Sequence, residues 1–179
     1  MDISDIISRE NEINIDSDHD VENDQDVLSD GTIIQLVSFM IDDVEYAVDI
    51  LVVHEILRMP EITRLPNCPD FIMGVINLRG NVIPVVDVRT RFGFEVAGAT
   101  DLSRIIVVET GEKLVGLFVD SVHQVVRITE NSIDSASEMI DGISDIFISG
   151  IGRYRNRLII ILNLDNILFQ DEELTDIIQ

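Results

Sequence analysis

The sequence predicts an all-β chain built from two similar small barrels, and three observations carry that expectation. Apolar residues make up 46% of the 179, Val and Ile above all, with no Trp; β-branched side chains are stiff at χ1 and pack well on a pleated surface. The runs Val75 to Leu78 and Val82 to Val88 flank Arg79-Gly80-Asn81, and a short connection containing Gly between two such runs is the signal of a β-hairpin. Slid against itself, the chain shows an ordered self-match at a shift of about 76 residues, the mark of a duplicated unit. Gly74 falls on Gly150, Arg79 on Arg155, Gly80 on Asn156, Val82 on Leu158, Val85 on Ile161 and Asp87 on Asn163. A shift of about 69 relates Ala47 to Gly116, Val53 to Val122, His54 to His123 and Ile56 to Val125.

Residues 1–30 are rich in Asp, Asn and Ser and read as a disordered acidic tail, with one weak apolar helix stripe over Ile3, Ile6, Ile7 and Glu10 to Ile13. Thr32 to Ile41 and Val44 to Ile50 read as strands across an Asp42-Asp43 turn, with Tyr46 anchoring the hairpin in the core. Val52 to Met59 alternates, placing Val53, Glu55 and Leu57 on one side and His54, Ile56 and Arg58 on the other. Pro60, Pro66 and Pro69 break any helix before Asp70 to Met73, which reads as one helical turn ahead of Gly74. After the central hairpin, Val88 to Phe94 reads as a short helix or turn, and residues 93–103 as a Gly-containing loop that serves as a hinge between halves. Strands follow over Arg104 to Glu109, Leu114 to Asp120 and Val122 to Ile128. A polar connection over 129–145 leads to a last hairpin, Ile146 to Arg153 and Leu158 to Leu164, and Asp165 onward reads as a C-terminal helix whose end is residues 171–179.

The formal charge of −22 is concentrated at the start, where eleven Asp and Glu face the single Arg9 within residues 1–30. Such a chain is repelled by phosphate backbones and anionic lipid, so nucleic acid and membrane are poor partners and a protein or a cation is the better expectation. Cys68 is the only cysteine, nothing at the start resembles a signal peptide, and the longest apolar run is far too short to span a bilayer. A reducing cytoplasm follows as the expected compartment.

Chemistry is hard to place on these residues. Duplicated β-lobes each bearing an Asp suggest an aspartic protease, but Asp87 precedes Val88-Arg89 and Asp120 precedes Ser121-Val122, so the Asp-Ser-Gly or Asp-Thr-Gly turn is missing. His19, His54, His123 and Cys68 are scattered without metal-ligand or triad spacing. Gly150-Ile151-Gly152 lacks the third glycine of a phosphate loop, and the alternating Asp16 to Asp24 lacks the glycine and terminal Glu of a calcium loop. No catalytic residue, cofactor or metal is expected. Arg79 at its turn reads equally as a solvated arginine or a functional one. Arg153, Arg155 and Arg157 make a basic hairpin tip that suits an acidic partner or the chain's own tail.

In order along the chain, Glu45-Tyr46-Ala47-Val48-Asp49-Ile50, Val53-His54-Glu55-Ile56, Thr63-Arg64-Leu65-Pro66, Gly74 to Gly80, Ile83-Pro84-Val85-Val86-Asp87, Gly116 to Val122 and Ser149-Gly150-Ile151 resemble the CheW-like domains. The likeness covers roughly residues 33 to 170. It implies two intertwined five-stranded barrels resembling SH3 domains, with a short C-terminal helix. It also implies a non-enzymatic adaptor that bridges the cytoplasmic tips of chemoreceptors to the regulatory domain of the histidine kinase CheA, beside other CheW-like domains in array rings at the membrane. Val53, Glu55, Asn77, Leu78 and Arg79 match the family's receptor-facing set, and an apolar groove rimmed by one cation and one carboxylate suits a helical hairpin. Kinase contacts are implied at the barrel edges. The alternative is a CheW-like scaffold in a histidine kinase pathway outside taxis. Asp42 stands where many members have Gly, which asks Asp to adopt positive φ in the turn.

Overall fold

The computed structural model of the protein describes residues 31–136 and 143–169. The helix stripe expected in the acidic tail, and the part past Phe169 of the helix expected from Asp165 onward, lie outside those residues.

Eleven strands run in the order β1 (Ile33–Ile41), β2 (Val44–Asp49), β3 (Val53–Arg58), β4 (Ile72–Leu78), β5 (Asn81–Asp87), β6 (Arg104–Thr110), β7 (Lys113–Val119), β8 (Ser121–Thr129), β9 (Ile133–Asp134), β10 (Ile148–Tyr154) and β11 (Arg157–Leu162). Two short helices, α1 (Val88–Arg91) and α2 (Leu164–Phe169), follow β5 and β11. The strands form two sheets, ordered β8-β1-β2-β11-β10-β9 and β3-β6-β7-β5-β4.

Those two orders are the duplication made visible. Carried through the repeat, β1, β2, β3, β4 and β5 become β6, β7, β8, β10 and β11, so the second sheet maps strand for strand onto the first, in which β9 is an extra edge strand. The register agrees as well: Ile161 pairs in parallel with Ala47 as Val85 pairs with Gly116. The bulge at Ser38/Phe39 against β8 matches the one at Val53/Glu55 against β6, and that at Ile72/Gly74 matches Ile148/Gly150. Apart from the edge strand β9, each sheet takes two strands from one repeat and three from the other, so the two barrels are intertwined. The chain crosses between them at Ile50–Val52, where the Asp49 carboxylate caps a 3-10 turn, and again at Asp120 between β7 and β8. Residues 93–103 link the two repeats without crossing between the barrels: the loop joins α1 to β6, and β5 and β6 belong to the same sheet.

Turn chemistry fixes the hairpins. Arg79 and Gly80 sit at φ 52° and 89°, Arg155 and Asn156 at 44° and 63°, Gly111 and Glu112 at 56° and 71°. Left-handed backbone at both central residues is the two-residue turn whose twist suits flanking strands. Asp42 takes φ 55°, filling the left-handed place of Gly111 as an Asp can.

Most strands are buried on both faces, which explains their unbroken apolar runs. Leu36, Ala47, Val126, Ile159 and Ile161 fill the first barrel, and Ile76, Ile83, Val85, Ile105 and Phe118 fill the second. Their neighbours along each strand, with Tyr46 fully buried among them, form a third and larger core shared by both sheets. There Phe39, Tyr46, Phe92 and Phe147 make a chain of rings with centroids 6.3, 5.6 and 5.7 Å apart. The helices are capped alike in the two repeats: Asp87 accepts from the Arg89 and Thr90 amides, and Asn163 from the Asn166 amide.

Two local expectations are corrected. Ile72 and Met73 begin β4 instead of forming a helical turn. Strict alternation fails in β3 because His54 is the extra residue of a bulge, so Val53 and Ile56 both turn inward.

Candidate functional site

β3 and β4 are the two ends of the second sheet's hydrogen-bonded order, and closure of the barrel brings them face to face. The groove between them is lined by Glu55, Ile56, Leu57, Arg58, Pro60, Ile76, Asn77 and Leu78. Arg79, at the tip of the β4–β5 turn, spans it. Its Nη1 donates to Glu55 Oε2 at 3.0 Å and its Nη2 to Glu55 Oε1 at 2.8 Å, a two-pronged pair. The Asn77 Oδ1 accepts from the Gly80 amide at 3.0 Å, which holds the turn that presents Arg79. The outer edge of β4 is partly occupied lower down, where Thr63 exchanges both backbone hydrogen bonds with Val75 at 2.9 and 2.8 Å. That approach is possible because residue 74 is glycine: a Cβ there would stand 2.2 Å from the Thr63 carbonyl oxygen.

Four of the five residues singled out in the sequence thus meet at one groove. Val53 does not join them. It is buried in the shared core, and the bulge at His54 is what separates it from Glu55. Ile56 and Leu57 line the groove in its place. The Arg79 side chain is 69% exposed and that of Glu55 25%, so a partner reaching the groove meets the cation first and the carboxylate beneath it.

A second polar cluster lies where the chain crosses between barrels. Arg89 of α1 is nearly buried and donates from Nη1 to Asp42 Oδ1 at 3.1 Å and from Nη2 to Asp120 Oδ2. The Asp42 amide also donates to Asp120 Oδ2, at 2.7 Å. Burial works to lower the pKa of Arg89, but the hydrogen bonds and charges of Asp120 and Asp42 outweigh it and hold the pKa above the ordinary arginine value. This cluster escapes sequence reading because its members are 31 and 47 positions apart. The one local hint is Asp42 itself, standing in a turn that favours Gly.

A third cluster surrounds Glu45, a buried carboxylate at the start of β2. Arg157 Nη1 is 3.2 Å from one of its oxygens and His123 Nδ1 3.5 Å from the other. His54, the repeat mate of His123, is likewise half-exposed and faces Glu109 at 3.9 Å. Asp87 caps α1, and the Cys68 thiol donates to the Leu65 carbonyl at 3.3 Å. Among the described residues no group of His, Cys, Asp and Glu is placed to hold a metal ion, and no helix is long and apolar enough to cross a membrane.

The family model of the CheW-like domain matches residues 35–172. The chemotaxis protein CheW of Helicobacter pylori is 34% identical over 139 residues, covering 78% of this chain and 84% of that protein. The chemotaxis protein CheW of Bacillus subtilis is 35% identical over 134 residues, covering 75% and 86%. The crystal structure of the scaffolding protein TtCheW from Thermoanaerobacter tengcongensis superposes with a TM-score of 0.73 at 39% identity, covering 77% of this chain and 94% of that one.

Proposed function

The chain belongs to the CheW-like domain family, whose members are chemotaxis scaffold and adaptor proteins and not enzymes, and from that premise we propose that it couples the cytoplasmic tips of chemoreceptors to the regulatory domain of the histidine kinase CheA. The work is done in the cytoplasm, at receptor arrays beneath the membrane, where other CheW-like domains complete the rings.

The observation that carries this reading is the β3–β4 groove with the Glu55–Arg79 pair across its mouth. Its floor is apolar, from Ile56, Leu57, Ile76 and Leu78, and its rim offers one cation and one carboxylate. An amphipathic helix presents the complement, an apolar face flanked by charges of both signs. A chemoreceptor tip is a helical hairpin of that kind. Residues Glu55, Asn77, Leu78 and Arg79 are the receptor contacts in this proposal, and Val53 supports them from the core.

The kinase arm is tested by calorimetric titration of the full chain with the CheA regulatory domain from the same source, at two salt concentrations. Saturable one-to-one binding is the expected outcome, and no binding at either salt would overturn coupling to CheA. The receptor arm is tested separately by sedimentation with receptor-containing membranes, in which Arg79→Ala should release the protein from the pellet.

A further inference from the structure

The two hairpin tips are mates in the repeat, yet their charge differs sharply. At the β4–β5 tip the single cation Arg79 is matched by Glu55. At the β10–β11 tip the mate of Glu55 is the neutral Gln124, while Asn77, Leu78, Arg79 and Asn81 are replaced by Arg153, Tyr154, Arg155 and Arg157. Arg155 has no carboxylate partner among the described residues; its guanidinium lies over the Tyr154 ring, 5.2 Å from the centroid. Arg157 lies over the same ring at 5.9 Å while reaching down to Glu45. Arg153 pairs with Asp134 among the described residues, and both of those side chains are largely exposed. Ile128 packs against Gly152 where the barrel closes, and Arg127 beside it is exposed too. Four of the chain's 12 Lys and Arg residues thus stand on one flank of a protein whose net charge is −22.

The chain itself supplies the opposite charge beside that flank. Residues 1–30 carry eleven carboxylates against one arginine. They join the fold at Gly31, where an added Cβ would stand 3.0 Å from the Asn131 side chain, and at Thr32, whose carbonyl accepts from the Glu130 amide at 2.9 Å. Two residues past Asn131, β9 pairs with β10, Ile133 beside Gly152, and Asp134 holds Arg153. The acidic segment therefore enters the fold a few residues from the basic tip. Thirty residues can reach ~100 Å when extended, so the tip lies well within range. We propose that the acidic segment 1–30 docks in cis on the Arg153–Tyr154–Arg155–Arg157 tip and covers that face of the first barrel. The attraction is between exposed charges, so it is reversible and weakened by salt. Tethering makes it effective, since the segment is presented to the tip at the high local concentration of an intramolecular encounter. The contact shields this face from acidic surfaces of other proteins and leaves the β3–β4 groove open.

Paramagnetic relaxation in the full chain tests this. A nitroxide is attached at Ser17→Cys in a Cys68→Ser background, and the amide spectrum of the isotope-labelled protein is compared with the nitroxide oxidised and reduced. In about 20 mM NaCl the amides of Tyr154 to Leu158 should lose most of their intensity while those of Leu78 to Val82, the mate tip, lose little. The loss should be reversed at about 500 mM NaCl, where the Debye length shrinks to a few ångströms. Arg153→Gln combined with Arg155→Gln should reverse it at low salt, and the salt comparison stands by itself should that variant fold poorly. Broadening spread evenly over both tips, or unchanged by salt, would overturn the proposal. So would broadening seen only after mixing spin-labelled chains with label-free isotope-labelled ones, which would place the segment on a second copy.

Discussion

Glu55 and Arg79 join the two free ends of one sheet: the carboxylate on β3 takes both arms of the guanidinium presented by the β4–β5 turn. No ladder runs between those strands in the sheet order, so the pair closes the barrel mouth where backbone pairing does not. Its exposed arginine also makes it the part of the groove that a partner disturbs on arrival.

Arg79→Ala should leave the fold intact, with a loss of stability under about 1 kcal/mol in urea unfolding, because exposed ion pairs contribute little. Receptor coupling should fall substantially. Arg79→Lys should restore it only in part, since an ammonium cannot grip both carboxylate oxygens. A variant that unfolds would show that the pair is needed to close the barrel.

The Arg89 cluster should behave in the opposite way. Arg89→Leu leaves Asp42 and Asp120 close together without their shared cation; Arg89 is nearly buried while Asp42 is 64% and Asp120 30% exposed, so the loss is about 1–2 kcal/mol, between that of a surface pair and that of a buried one. The effect should appear in urea unfolding while the Glu55–Arg79 groove keeps its partner affinity in the folded fraction.

Gly74 and Gly150 are repeat mates with different tolerances. A Cβ at Gly74 would meet backbone, the Thr63 oxygen at 2.2 Å, and its φ of 143° is itself unfavourable for other residues. At Gly150 the closest atom is a side-chain methyl of Ile133 at 2.5 Å, the Asp134 carbonyl oxygen stands off at 3.1 Å, and no positive φ adds to the clash. Gly74→Ala should therefore lower the thermal midpoint much more than Gly150→Ala does, the first by about 3 kcal/mol or more in stability.

Tyr46 gives a pH signature. It is fully buried, its hydroxyl has no hydrogen-bond partner among the described residues, and burial, aided by the charge of Asp42, raises its pKa to about 12. The folded state thus binds the phenolic proton more tightly than the unfolded chain, whose tyrosine titrates near 10. Its contribution is intact below about pH 10 and is lost as pH climbs through about 12, a fall on the order of 3 kcal/mol. In a Tyr154→Phe background, absorbance near 295 nm should rise only in that alkaline range, and Tyr46→Phe should flatten the corresponding decline in stability.

The hairpins were legible because their causes are local: an Arg79-Gly80 or Arg155-Asn156 turn sits between runs with no other way to bury their side chains. The duplication was legible because Gly74, Arg79 and Asp87 keep their spacing in the second copy. Which strand pairs with which was hidden, because β3 finds β6 and β8 finds β1 across a swap that changes no residue in either strand. The bulge at His54 was hidden for a related reason, since an extra residue is visible only against a partner strand, and that is why Val53 was grouped with Glu55. Nothing local ties Arg89 to Asp42 and Asp120, which are 47 and 31 positions away and meet it only where the chain crosses at Asp120.

The swap also orders events in time. A chain leaves the ribosome from its amino terminus, and domains fold as their segments become available. The second sheet is one unbroken stretch, β3 through β7, complete once Val119 has emerged. The first sheet cannot be completed then, because β1 and β2 must wait for β8, β10 and β11. The barrel made first in sequence is finished last, and until β11 arrives the β1–β2 hairpin holds an apolar edge with no strand beside it. The newborn protein is therefore most prone to stray pairing while its final third is made, after the β3–β4 groove has already formed.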